Sequence, residues 1–342
     1  MADRIISIQY IRAFSAIAIV AFHASVHYDR PIHVGEARVA VFFIMSGFVL
    51  WLITQGRGND PTLFLARRLA RLMPLYWLVT LLLFFKEIMG WSRHTAATVH
   101  QLTLSLILIP HVNNAGQIYP VLIPGWTLVL EMFFCLLLTA LLWVEDKRRL
   151  WAATLVFSGL AVLGLWLRPS GPIAATYTSL INLDFLAGLW LASVWRRVRM
   201  PRPAALGLLA VGFVGSLVRL PPGLGLGGEA ITGLLSIMIV AGALGLERPG
   251  AAVIGWLERI GDSAYSIYLW HIPVQGVVWG AMDHFHVTNV SMCIALGTLA
   301  ATVVGMIAYP CVEKPLTEYL FAWLDRHWSA RAAARAAAAS VS

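Results

Sequence analysis

IRAFSAIAIVAFHASVH, residues 11–27, sets two ionisable side chains, Arg12 and His23, inside an otherwise apolar run. They are eleven residues apart. At about 100° per residue this is three turns plus roughly 20°, so an α-helix puts both on one stripe, ~16 Å apart along the axis. The run is long enough to cross a bilayer, and burying charge in hydrocarbon is costly unless the group is paired or faces a wet cavity. An arginine that can hold an anion at one depth, and an imidazole that can move a proton further in, point to chemistry performed across a membrane.

Composition agrees with that reading. Of the 342 residues 59% are hydrophobic and only 12% charged, about half the charge of a soluble domain. The fold class is therefore an all-α polytopic membrane protein. Apolar stretches fall at about 8–27, 39–55, 72–90, 125–144, 150–167, 174–195, 204–220, 229–246, 263–282 and 291–312, which predicts ten transmembrane helices. The run 102–110 is too short to cross and is expected to be re-entrant or interfacial. MADR precedes the first run like a signal-peptide n-region, but no small-residue cleavage site follows, so the run is expected to stay.

The charge pattern supports this count. With a cytoplasmic N-terminus, eighteen Lys and Arg fall in inside segments, including Arg67, Arg68, Arg71, Lys147–Arg149 and Arg196–Arg202, and six fall outside. Both termini are then cytoplasmic. The net charge of +8 is accordingly topology information, and no nucleic-acid partner is expected. Residues 1–320 read as one membrane domain and 321–342 as a short basic cytoplasmic tail, loose or weakly helical. Segment 91–124 is the one outer connection large enough to line an external cleft. No internal repeat or matched pair of broken helices marks a transporter of the inverted-repeat kind.

Several constellations carry chemistry, each with a plainer alternative. His23 suits a general base, or is a histidine satisfied within the bundle. Arg67, Arg68 and Arg71 in FLARRLARLMPLYW are spaced to converge on one anion, as guanidinium forks suit phosphate, or anchor the helix at the inner headgroups. Glu131 in PGWTLVLEMFF needs a cation, for which Arg12 and the arginine cluster are available; the alternative is a structural ion pair. Ser46 and Gly47 form a small-residue patch in VFFIMSGFVLW. His271 in YSIYLWHIP and Asp184 in INLDFLAG are further ionisable groups within spans, and Glu313 in VEKP reads as a capping or snorkelling residue ahead of a helix stop at Pro315. No metal is expected, because His23 and His27 have no acidic or cysteine neighbour. Cys135, Cys293 and Cys311 show no paired spacing, so no disulfide is expected. No nucleophile elbow, Walker loop or dinucleotide fingerprint occurs.

Taken in order, Arg-x10-His at Arg12 and His23, FFIMSGFV, the arginines before PLYW, GWTLVLE, YSIYLWH and VEKP resemble the membrane-bound acyltransferase family 3 over residues 5–316. The likeness is nearest to exopolysaccharide and O-antigen O-acetyltransferases. It implies a multi-pass protein of the bacterial inner membrane that moves an acyl group, acetyl above all, from cytoplasmic acyl-CoA to a hydroxyl of an envelope or exported polysaccharide. Acetyl-CoA would be a co-substrate, with no permanently bound cofactor. The family's essential histidine falls on His23 and its partner on Arg12, the donor-associated Arg-x-x-Arg element on Arg68 and Arg71 beside Arg67, and the motif acid on Glu131. Thr127 stands where the family has serine. Trp126, Thr127, Ser46 and His271 are expected around a substrate pocket. His23 would either deprotonate the acceptor or carry the acyl group itself. Many members add a C-terminal hydrolase-like domain; this sequence stops soon after Pro315, and the membrane domain is expected to deliver the acyl group unaided. Acyl-CoA, the glycan and the bilayer are the expected partners, with room for a homodimer. The competing readings are a proton-coupled transporter or flippase for a lipid-linked glycan, and a structural subunit of an export complex.

Overall fold

The computed structural model describes residues 5–28, 37–56, 60–90, 97–198, 200–218, 221, 223–248 and 253–339; side chains of 37, 38 and 330–339 are not part of that description. Arg4, Arg30, Arg57, Arg93, Arg199 and Arg219, used in the charge pattern, lie outside the described residues. Among the described residues every regular element is a helix. In chain order these are α1 (Ile6–Val26), α2 (Ala37–Thr54), α3 (Pro61–Ile88), α4 (Val99–Leu106), α5 (Gly125–Leu141), α6 (Asp146–Leu167), α7 (Pro172–Tyr177), α8 (Asn182–Val194), α9 (Arg202–Leu217), α10 (Leu226–Leu246), α11 (Gly255–Asp262), α12 (Ala264–His284), α13 (Val290–Ala308) and α14 (Lys314–Ala339).

Among the described residues, six helical stretches are long and apolar enough to cross a membrane: Ile6–Val26, Pro61–Ile88, Asp146–Leu167, Pro172–Val194, Leu226–Leu246 and Val290–Ser329. Val39–Thr54, Gly125–Leu141 and Arg202–Leu217 are apolar but shorter. The 21-residue α12 is long enough, yet carries His271, Gln275, Asp283 and His284. Large apolar side chains, among them Phe14, Leu82, Phe85, Leu155, Trp166, Phe213, Leu234, Val277 and Leu299, face outward, as lipid rather than water as the solvent requires.

The elements depart from the sequence expectation in four places. α3 starts at Pro61 and not near residue 72, because Asp60 caps it and proline fits the first helical position. The arginine cluster thus belongs to the first three turns of a 28-residue helix. The stretch 174–195 is broken into α7 and α8. Pro315 does not end the last span: a π turn at Tyr309–Glu313, which contains Pro310, precedes it, and Pro315 falls in the first turn of α14, where its missing N–H is harmless. Finally, α14 runs through the boundary drawn at residue 320 and on to Ala339, since alanine and arginine are strong helix formers.

Among the described residues, three buried clusters hold the bundle. One joins α2, α5, α6, α8 and α10 around Phe48, Phe134, Phe157 and Phe185, whose rings stack 4.5–5.1 Å apart between Phe134 and its neighbours. A second joins α3, the 108–122 segment, α5 and α12 around Tyr76, Leu128 and Leu269, and a third joins α1, α11, α12 and α13. α4, the short run of the sequence reading, is pinned to α3 by Tyr76 Oη donating to Ser105 O (3.0 Å) and Trp77 Nε1 donating to Leu106 O (2.8 Å). Between the clusters lies an opening lined by α1, α2, α3, α5, α12 and α14.

Candidate active site

That opening is a cavity of about 670 Å³. Arg12 enters it from α1, Ser46 from α2, Arg67, Arg68 and Arg71 from α3, and Thr127 and Glu131 from α5. Helical spacing explains the convergence. Arg67 and Arg71 are one turn apart, as are Thr127 and Glu131, so each helix turns one face into the space. Four arginines and two carboxylates, Asp60 and Glu131, line it, giving a cationic chamber with apolar walls from Phe42, Phe43, Leu128 and others. Such a chamber suits an anionic ligand with an extended apolar arm.

Its charges are coupled. Glu131 sits in the field of Arg68, Arg71 and Arg12 and accepts a 3.4 Å hydrogen bond from Ser46 Oγ. Arg12 feels Arg71, Glu313, Asp262 and Glu131. Arg68 lies over the Phe64 ring, 5.9 Å from its centre. Arg67 stands apart: it pairs with Asp325 of α14 at 2.6 Å in a half-exposed ion pair at the cavity rim. Asp60 completes this rim. Its carboxylate accepts from Thr62 N (2.8 Å), Leu63 N (3.3 Å), Thr62 Oγ1 (2.5 Å) and Trp328 Nε1 (3.0 Å). These bonds, the Thr62 hydroxyl foremost, hold its pKa below the usual carboxylate value.

His23 is not part of the cavity lining, although Ile19, one turn earlier on α1, is. Its ring lies 5.0 Å from that of His271 on α12, centre to centre. His271 is fully buried and is likewise behind the wall of the cavity. Trp126 points elsewhere: it edges Phe43 and lines a second, smaller cavity of about 220 Å³ with His111, Tyr119 and Thr176. α5 is the partition, turning Thr127, Leu128 and Glu131 to the large cavity and Trp126, Val129 and Leu130 to the small one. The structure therefore gathers Arg12, Ser46, Arg67, Arg68, Arg71, Thr127 and Glu131, pairs His23 with His271, and separates Trp126 from both. Among the described residues, no three His, Cys, Asp or Glu side chains are placed to share a metal ion.

Three residues gain a part that sequence spacing did not reveal. Tyr265 and Tyr268 line the cavity from α12. Tyr265 Oη donates to Leu72 O at 2.6 Å, and Tyr268 Oη lies 2.9 Å from both Pro124 O and Thr127 Oγ1. Their positions in YSIYLWH, six and three residues before His271, carried the available signal. Glu313, read as a cap or a snorkelling group, is instead buried, accepting from Ser266 Oγ at 2.6 Å and facing Arg12 and Arg71. The π turn before α14 rotates it inward.

The model of the Acyltransferase domain family matches residues 5–309. The chain is 32% identical over 307 residues to the exopolysaccharide production protein ExoZ of Rhizobium meliloti (strain 1021), covering 86% of this chain and 93% of that protein. It is 24% identical over 351 residues to the peptidoglycan O-acetyltransferase OatA of Listeria monocytogenes, covering 91% of this chain and 55% of that protein, so it spans about half of that relative. No solved structure matches. The cationic cavity, the multi-pass helical architecture and a domain match over nearly the whole length lead to one conclusion: the chain belongs to the acyltransferase 3 family.

Proposed function

We propose that this protein is an O-acyltransferase of the bacterial inner membrane that takes an acetyl group from cytoplasmic acetyl-CoA and gives it to a hydroxyl of an envelope or exported polysaccharide. The observation that carries this reading is the cavity itself, with Arg12, Arg68, Arg71 and Glu131 on its walls and the His23–His271 pair just beyond Ile19. About ten spans and two cytoplasmic termini complete the proposal. In that orientation the rim built by Asp60, Arg67 and α14 opens to the cytoplasm, the side from which CoA would enter. Arg68 and Arg71 suit the donor's phosphates, while Arg67 has Asp325 as its partner. The apolar walls suit the pantetheine arm.

In the chemical step the acceptor hydroxyl gives its proton to His23 as its oxygen bonds to the acyl carbon. The carbon–sulfur bond breaks, and the proton passes from His23 to the departing thiolate. Arg12, three turns before His23 on α1, is a cation for holding the donor's anionic groups in the cavity. The relatives named for O-acetylation and exopolysaccharide production favour group transfer over transport.

The test is acetyl-CoA binding and turnover by purified protein in lipid nanodiscs. His23→Ala is expected to keep donor binding and lose about 100-fold or more in turnover, the scale of a lost general base. The Arg68→Ala/Arg71→Ala pair is expected to lose donor binding. A folded wild type that does not bind acetyl-CoA overturns the reading.

A further inference from the structure

His271 lies on α12 with no solvent exposure. Its Nδ1 is 2.6 Å from the carbonyl oxygen of Tyr268. A carbonyl only accepts, so Nδ1 carries the ring proton and the neutral ring presents Nε2 as an acceptor. Nε2 is itself buried and, among the described residues, has no hydrogen-bond partner. An acceptor left without a donor in a buried site is costly, so its retention calls for a donor that can reach it. The rings beside it are Tyr268, 5.8 Å away and already hydrogen-bonded through its hydroxyl, and His23, 5.0 Å away and tilted by 42°.

Two further contacts join α1 and α12 here. One turn further along α12, Gln275 Nε2 donates to Val20 O of α1 at 2.8 Å. Another turn on, Trp279 stacks flat on His27, 3.8 Å between ring centres. On α1 these contacts lie either side of His23, and on α12 both follow His271.

We infer that His271 is a positioning residue for His23: its Nε2 accepts the N–H of His23, which leaves the other His23 nitrogen unprotonated to take a hydroxyl proton. The inference rests on His23 acting as the base in the proposed function. When His23 receives the proton of the acceptor hydroxyl, the new positive charge is met by the His271 lone pair. His271 keeps its own proton on Nδ1 throughout, and the proton held by His23 leaves with the thiolate. The sequence assigned His271 to a substrate pocket; its place behind the cavity wall fits this supporting role better.

Two isosteric halves of the imidazole test it. In His271→Asn the side-chain nitrogen retains the bond to Tyr268 O but offers no acceptor at the Nε2 position. In His271→Gln the amide oxygen reaches the Nε2 position. With wild type and His23→Ala alongside in nanodiscs, the Gln variant is expected to keep kcat within about tenfold. The Asn variant is expected to lose a further 10- to 100-fold, roughly the cost of removing an orienting partner. Neither is expected to change KM for acetyl-CoA. Asn at the wild-type kcat, equal losses in both variants, or a loss carried by KM overturns the positioning role. If His23→Ala turns over like wild type, the base assignment falls and this inference with it. A dead His23→Ala beside a fully active Asn variant overturns the positioning role alone.

Discussion

Asp60 shows how one carboxylate can serve a helix and a site together. It caps α3, binds Trp328 of α14 and lines the cavity rim. Its folded pKa lies below the ordinary value of 3.8, with the Thr62 hydroxyl as the main cause, so the charged form is the one the fold favours. The stabilisation is therefore complete above the unfolded pKa and is lost as pH falls through the lower folded value. Asp60→Ala is expected to cost about 1 kcal/mol locally at pH 7, seen as roughly fivefold faster amide exchange in the first turn of α3. Below pH 3.8 the difference from wild type should shrink; a difference that is constant with pH counts against the charged cap.

Between elements, α2 and α8 cross backbone to backbone. A Cβ on Gly47 would meet Phe185 O, and one on Gly188 would meet Ile44 O, with no flexible side chain to move aside. Close approach of this kind is how small residues hold membrane helices together. It also places Ser46, beside Gly47, against Glu131. Gly47→Ala and Gly188→Ala are each expected to destabilise the protein by about 1–3 kcal/mol and to lower its melting temperature in detergent. Gly159→Ala and Gly207→Ala, where the new Cβ meets nothing within 4 Å, should leave it unchanged or raise it. Equal losses at all four positions would rule out the crossing as the cause.

For the whole molecule, the sidedness of the cavity is what the proposed reaction depends on. The rim formed by α3 and α14 must face the donor's compartment. We expect a fluorescent protein fused after Ser342 to be bright and a periplasmic phosphatase fused there to be inactive. The same phosphatase is expected to be active when inserted near Gly223, in the connection between α9 and α10. The reverse pattern would put the arginines on the wrong side for cytoplasmic acyl-CoA.

The sequence by itself determined the helical membrane architecture and the family, because apolar runs in hydrocarbon leave only the helix for satisfying backbone polar groups. It also determined that Arg12 and His23 share a stripe and that Arg67, Arg68 and Arg71 share a helix end, since both are consequences of helical period within one element. What it left open were contacts between elements. Nothing local to VEKP shows that Glu313 turns inward, because that depends on a π turn and on Ser266 forty-seven residues away. Nor does GWTLVLE reveal that α5 is a partition, with Trp126 and Thr127 in different cavities. The pairing of His23 with His271 was decided only when α1 and α12 packed together, because helical period fixes the face a residue occupies but not the helix that covers it.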